Sequence, residues 1–117
     1  MLNRSALLLR YKAPALQWIN DADPAPGSTP IAEAEVNRDC TVYLVSDEVA
    51  ESPEEVRRWV KANWCNLFES ELEEWYTDPA LWPKRTLKRF DEWFEVECHS
   101  VMIDTLGTPI IDDEASD

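Results

Sequence analysis

A single histidine, His99, limits the reactive centres that this 117-residue chain can build. A Ser-His-Asp triad or a Cys-His pair needs an imidazole to move protons, and a zinc site commonly needs one as a ligand, so each would have to recruit His99. The adjacent Cys98 is no local partner, because successive side chains of a strand point to opposite faces. Cys40 and Cys65 meet His99 only if tertiary packing brings them there. The pattern therefore reads as an exposed strand histidine beside Glu97. A small enzyme or metal-binding protein that uses His99 with Glu or Cys side chains is the alternative. The three cysteines are odd in number and widely spaced, which is neither a disulfide framework nor a Cys-x-x-Cys pair, and they read as buried free thiols.

Carboxylates crowd one stretch, Glu69, Glu71, Glu73 and Glu74. Glu71 and Glu74 are one helical turn apart, a spacing at which two carboxylates can share a hard cation. The Glu-x-x-His motifs of di-iron bundles are missing, so the cluster reads as a solvated face that opposes its helix dipole. Lys84, Arg85, Lys88 and Arg89 place four of the eleven cations within six residues. Such a cluster suits an anion, but the excess of carboxylates favours pairing with the protein's own acidic helix.

Of six tryptophans, Trp64, Trp75 and Trp93 fall on or near apolar stripes and are expected in the core. Trp59 sits at the edge of a stripe, and Trp18 and Trp82 lie on short elements. These three, with Lys84, Arg85, Lys88 and Arg89, are the candidate partner-binding residues, since Trp and Arg are enriched at interaction hot spots. The only glycines are Gly27 and Gly107, so no Gly-rich phosphate loop can form. No catalytic residue, metal ligand or cofactor is assigned.

The elements that would position these residues are legible from periodicity. Residues 5–11 read as a strand covered on both faces, and Pro14 opens a two-turn helix with Ala15, Trp18, Ile19 and Ala22 on one side. Asp23 to Pro30 holds three prolines and a glycine and reads as an exposed loop. Ile31 to Arg38 suggests a short helix with Thr29 as N-cap and Pro30 at its first position. Cys40 to Ser46 is rich in β-branched and aromatic residues and reads as a strand. Ser52-Pro53-Glu54-Glu55 is a capping box with proline at the first helical position. From it runs a long amphipathic helix whose stripe is Val56, Val60, Trp64, Leu67, Phe68, Leu72 and Trp75, stopped by Asp78-Pro79. A single turn follows at Pro79, and Thr86 caps a last helix carrying Leu87, Phe90 and Phe94. Residues 95–104 predict a strand that enters the covered middle of a sheet at Val101 to Ile103. After a turn at Leu106 to Pro109, Ile110 and Ile111 suggest an edge strand.

The fold class is thus α+β: a small three- to four-stranded sheet packed against one long amphipathic helix and several short helices. Residues 1–111 form one domain, and 112–117 are an acidic disordered tail. The charge balance of 11 Lys plus Arg against 24 Asp plus Glu gives −13. That excess argues for solubility and against nucleic-acid binding, where phosphates would be repelled. No signal peptide or membrane-spanning run is evident, so a cytoplasmic location with no membrane partner is expected.

The stretch from Asn37 to Trp82, notably Asn-Arg-Asp-Cys-Thr-Val-Tyr-Leu-Val and Glu-Glu-Trp-Tyr-Thr-Asp-Pro-Ala-Leu-Trp-Pro, together with Trp93-Phe94-Glu95-Val96, resembles a family of short bacterial proteins without an assigned function. The resemblance covers most of the chain. It implies a bacterial cytosolic protein and carries over no activity or site residue. The functional expectation is a small acidic protein acting through protein–protein interaction, with a protein partner or self-association, and more readily a non-enzyme than an enzyme.

Overall fold

A computed structural model describes residues 2–22 and 30–112. Three strands, β1 (Arg4–Tyr11), β2 (Val42–Ser46) and β3 (Phe94–His99), form one antiparallel sheet in the order β2-β1-β3. Four α-helices occur among the described residues: α1 (Ala13–Asp21), α2 (Glu33–Val36), α3 (Pro53–Trp75) and α4 (Leu87–Trp93). Short 3-10 segments at Asn37–Asp39, Asp47–Glu51 and Pro79–Leu81 join them.

β1 takes the centre because both its faces can be covered. Ser5, Leu7, Leu9 and Tyr11 alternate onto one face and are all buried, while Ala6, Leu8 and Arg10 occupy the other. The register sets Leu7 opposite Tyr43 and Cys98, Leu9 opposite Val96, and Tyr11 opposite Phe94. Directly paired residues share a face, so Tyr43, Val96 and Phe94 join the inner layer.

The long helix starts where the capping box places it. The Ser52 hydroxyl accepts from the Glu55 N–H at 3.1 Å, and Pro53 holds the first helical position. Val60, Leu67, Phe68 and Leu72 are buried, and Val56, Trp64 and Trp75 pack partly buried against the core. The buried side is not purely apolar, because Glu71 is buried among them. Phe68 lies 6.0 Å from Phe90 and 5.5 Å from both Trp93 and Phe94, ring centre to ring centre, so α3 meets the α4–β3 junction through packed aromatic rings. Thr86 caps α4 by accepting from the Arg89 N–H, and the chain enters β3 directly at Phe94.

Four local expectations need correction. Strand β3 ends at His99, and it is an edge strand rather than a central one. Val101 and Ile103 are 62% and 70% exposed, and the covered middle of the sheet belongs to β1. No strand forms at Ile110 and Ile111, which are exposed. That apolar pair is bounded by Pro109, which has no N–H to donate to a ladder. The helix expected over Ile31 to Arg38 shrinks to Glu33–Val36 with Ala32 as its N-cap, followed by a 3-10 turn, so Pro30 and Ile31 stay outside it. Thr29 and most of the Asp23 to Pro30 loop lie outside the described residues, as does the tail from 113 on. The thiols are less buried than free cysteines usually are: Cys65 is exposed and Cys40 and Cys98 are half-buried. No helix among the described residues is long and apolar enough to cross a membrane.

Candidate functional site

The most chemically organised place in the molecule is where the ends of β1, β2 and α3 meet. Glu71 is only 4% exposed. A buried carboxylate needs donors or its charge is costly, and two tyrosines supply them. The Tyr11 hydroxyl donates to Oε1 at 2.8 Å, and the Tyr43 hydroxyl donates to Oε2. The Trp75 indole N–H donates in turn to the Tyr11 hydroxyl oxygen at 3.0 Å. The chain Trp75–Tyr11–Glu71–Tyr43 thus links two strands to one helix.

The elements explain why these side chains converge. Tyr11 and Tyr43 lie on the inner face of adjacent strands, and Glu71 and Trp75 are four residues apart on one side of α3. Past Val42 the β2 ladder stops, and the side-chain amide of Asn37 replaces it. Its carbonyl accepts from the Tyr11 N–H at 2.8 Å, and its amide group donates to the Tyr11 carbonyl at 3.1 Å. Asn37 therefore fixes the backbone that aims the Tyr11 ring. Asn20 makes the same pair of bonds to Ile31, at 2.8 and 3.1 Å, and holds the chain that enters α2.

The electrostatics of the network keep both tyrosines neutral. Burial, the nearby Glu71 charge and the bond to it push the Tyr11 phenol well above its ordinary range, and Tyr43 follows for the same reasons. Both stay protonated and serve as donors. The Glu71 carboxyl lies above its ordinary range: burial raises it and the nearby Glu74 adds to the rise, while the phenolic donors Tyr43 and Tyr11 act against it.

This arrangement floors a cleft of about 390 Å³. Tyr11 and Trp75 supply aromatic wall, Ile31 and Val36 apolar wall, and Glu35, Asp39 and Glu74 a rim of carboxylates around Glu71. Among the described residues, no Lys or Arg lines it. Cys40 also borders the cleft, but burial pushes its thiol up, so it stays protonated and is a weak nucleophile. The cluster expected to be one solvated face is therefore divided: Glu73 and Glu74 are exposed, Glu69 binds Arg85, and Glu71 turns inward. The sequence singles out Glu71 only beside Glu74, as a pair that could share a hard cation, and its place on a solvated face is corrected here: it is buried, and Tyr11, Tyr43 and Trp75 at inward positions were the available signal.

The expected partner residues lie elsewhere, and none lines the cleft. Trp18 and Trp82 are half-buried. The Trp18 indole donates to the Leu81 carbonyl at 2.9 Å and that of Trp82 to the Tyr76 carbonyl at 2.7 Å. Trp18 also packs edge-on against Tyr76 at 5.2 Å, and Trp59 is partly buried against the core. The Trp18 and Trp82 indoles thus tie elements of the fold together. Arg85 binds Glu69 at 2.9 Å and lies 5.4 Å from the centre of the Trp82 ring, and Arg89 donates to the Lys84 carbonyl. Lys84 and Lys88 are exposed. His99 sits 3.0 Å from Glu97 on the outer face of β3, while Cys98 occupies the inner face. No group of three His, Cys, Asp or Glu side chains among the described residues is placed to hold a metal ion.

Comparison with family models, curated proteins and solved structures finds no match to this chain.

Proposed function

We propose that this protein is a non-enzymatic interaction module whose cleft receives a basic side chain, an arginine, from a protein partner. The observation that carries the reading is the buried Glu71 carboxylate at the base of an aromatic-walled cleft rimmed by Glu35, Asp39 and Glu74 and free of cations. A guanidinium suits it better than an ammonium, because its planar face stacks on an indole while its edge forks toward carboxylates. The volume fits one long side chain rather than a folded surface. The net charge of −13 would speed the approach of a basic partner. On this reading the protein works in the bacterial cytosol, the setting implied by the resemblance of Asn37 to Trp82.

The test is titration with a short Gly-Ser peptide carrying one arginine, against the same peptide carrying neutral citrulline, followed by tryptophan emission. The arginine peptide binds and the citrulline peptide does not. Glu74→Gln and Trp75→Phe weaken binding, and Glu92→Gln, outside the cleft, leaves it unchanged. Equal binding of both peptides, or equal weakening by Glu92→Gln and Glu74→Gln, would mean diffuse attraction to an acidic surface and end the proposal.

A further inference from the structure

The two edges of the sheet differ in a way that bears on association. β3 carries Glu95 and Glu97 along its outer face, with His99 at its end, and carboxylates of this kind are the charged side chains with which proteins keep strand edges from pairing. β2 carries Val42, Tyr43, Leu44, Val45 and Ser46, with no charge and no proline. One side of β2 pairs with Arg4 to Leu8 of β1. Among the described residues, no backbone or side-chain group bonds to the N–H and C=O groups on its other side. Val42 and Leu44 are 50% and 55% exposed on the outer face, beside Leu8 and Ala6 of β1. A row of open backbone donors and acceptors flanked by an exposed apolar strip is the arrangement that strand addition uses.

We infer that β2 pairs antiparallel with β2 of a second copy of this chain, joining two three-stranded sheets across a two-fold axis near Leu44. The strand is self-complementary in that register. Leu44 faces Leu44 of the other copy, Val42 faces Ser46, and Tyr43 faces Val45, so each residue keeps its own face of the sheet. The outer strip of Leu8, Val42 and Leu44 becomes continuous across the joint. The flanking charges favour the antiparallel sense: Arg38 and Asp39, which offset each other, precede β2, and Asp47 and Glu48 follow it, so a parallel pair would set two acidic ends side by side. Antiparallel pairing instead sets the acidic end of each copy beside the charge-balanced end of the other, at both ends of the joint. Opposing this is the charge of −13 on each copy, a long-range repulsion that salt screens. The dimer therefore strengthens as ionic strength rises, the reverse of an association held by surface ion pairs.

Sedimentation equilibrium of the full chain across a range of salt and protein concentrations tests this. The expected result is a monomer–dimer equilibrium that shifts toward dimer with added salt. Leu44→Lys, at a half-exposed position that leaves the core intact, weakens the dimer about fivefold by setting two like charges opposite one another in place of an apolar pair. Val101→Lys, on exposed chain beyond β3, does not. Hydrogen exchange on the unaltered chain supplies a readout independent of any variant: amides of residues 42–46 slow as protein concentration rises, and those of 94–99 do not. A monomer under every condition, a dimer insensitive to Leu44→Lys in a folded variant, or concentration-dependent protection outside β2 alone would overturn the inference. None of these outcomes depends on the arginine cleft, whose binding is read on the peptide.

Discussion

Removing the Tyr11 hydroxyl tests the buried network directly, because the loss should depend on pH in a way that packing alone cannot produce. Tyr11→Phe leaves the ring, which packs 5.1 Å from Phe94, and deletes one donor to Glu71 and the acceptor of the Trp75 indole. A hydrogen bond to a buried charged group contributes about 1.5–3 kcal/mol, so the variant should be less stable by about 2 kcal/mol at neutral pH. The sign of the pH effect follows from the phenol, whose folded value lies above the ordinary 10.0. A raised group contributes stability that is complete below the unfolded value and is lost as pH climbs above it, because the unfolded chain ionises first. Above pH 10 the unaltered protein loses about 1.4 kcal/mol per pH unit through Tyr11, whereas Tyr11→Phe has no such term. The loss reaches about 2 kcal/mol near pH 11.5, so the two proteins should converge there. Tyr43, more open to solvent, adds a weaker and screened loss to both proteins and cancels in the comparison. Urea unfolding followed by tryptophan emission at a series of pH values measures the gap. A gap that stays constant between pH 8 and 11.5 would refute the assignment of Tyr11 as a buried donor to Glu71.

Two further predictions concern the packing that holds the cleft in place. Phe68→Ala empties the centre of the aromatic cluster, where Phe68 is fully buried against Phe90, Trp93 and Phe94, and should cost about 3–5 kcal/mol in urea unfolding; a cost below 1 kcal/mol would show that the cluster is not the core. Trp82→Phe keeps an aromatic ring beside Arg85 but loses the indole donor to the Tyr76 carbonyl, so stability should fall by about 1 kcal/mol while binding of the arginine peptide is unchanged; lost binding without lost stability would return Trp82 to a partner surface.

The sequence made the local signals plain and the convergent ones obscure. Ser52 with Pro53 and Glu55 located the start of α3 because a cap is a contact among residues three apart, and Thr86 located α4 for the same reason. Strand alternation in Ser5 to Tyr11 gave the inward face of β1. What failed were judgements that need the identity of a neighbour. Val101 to Ile103 looked like the middle of a sheet, yet strand order decides which strand is central, and β1 holds that place. Glu71 looked solvated among Glu69, Glu73 and Glu74, because nothing within a helical turn reveals that two phenols from separate strands stand above it. For Trp18 and Trp82 the shortness of their elements was the available signal, and it could not show that each indole N–H reaches a carbonyl 63 or 6 residues away and ties two segments together.

The buried carboxylate also separates stability from function. A paired or hydrogen-bonded buried charge is often no more stabilising than a well-packed apolar side chain of similar volume. Leu at 71 with Phe at 11 and 43 would fill much of the same space without asking for any donor. Folding alone therefore gives little reason for a carboxylate at this point, and its role in fixing a unique arrangement of Tyr11, Tyr43 and Trp75 could be met by packing. A cation receptor has a different requirement. It needs a negative charge held in place before the ligand arrives, at low dielectric where attraction is strong, with donors that keep the charge from moving. Tyr11 and Tyr43 are placed to do that for Glu71, on strands whose positions are set by the aromatic core beneath them.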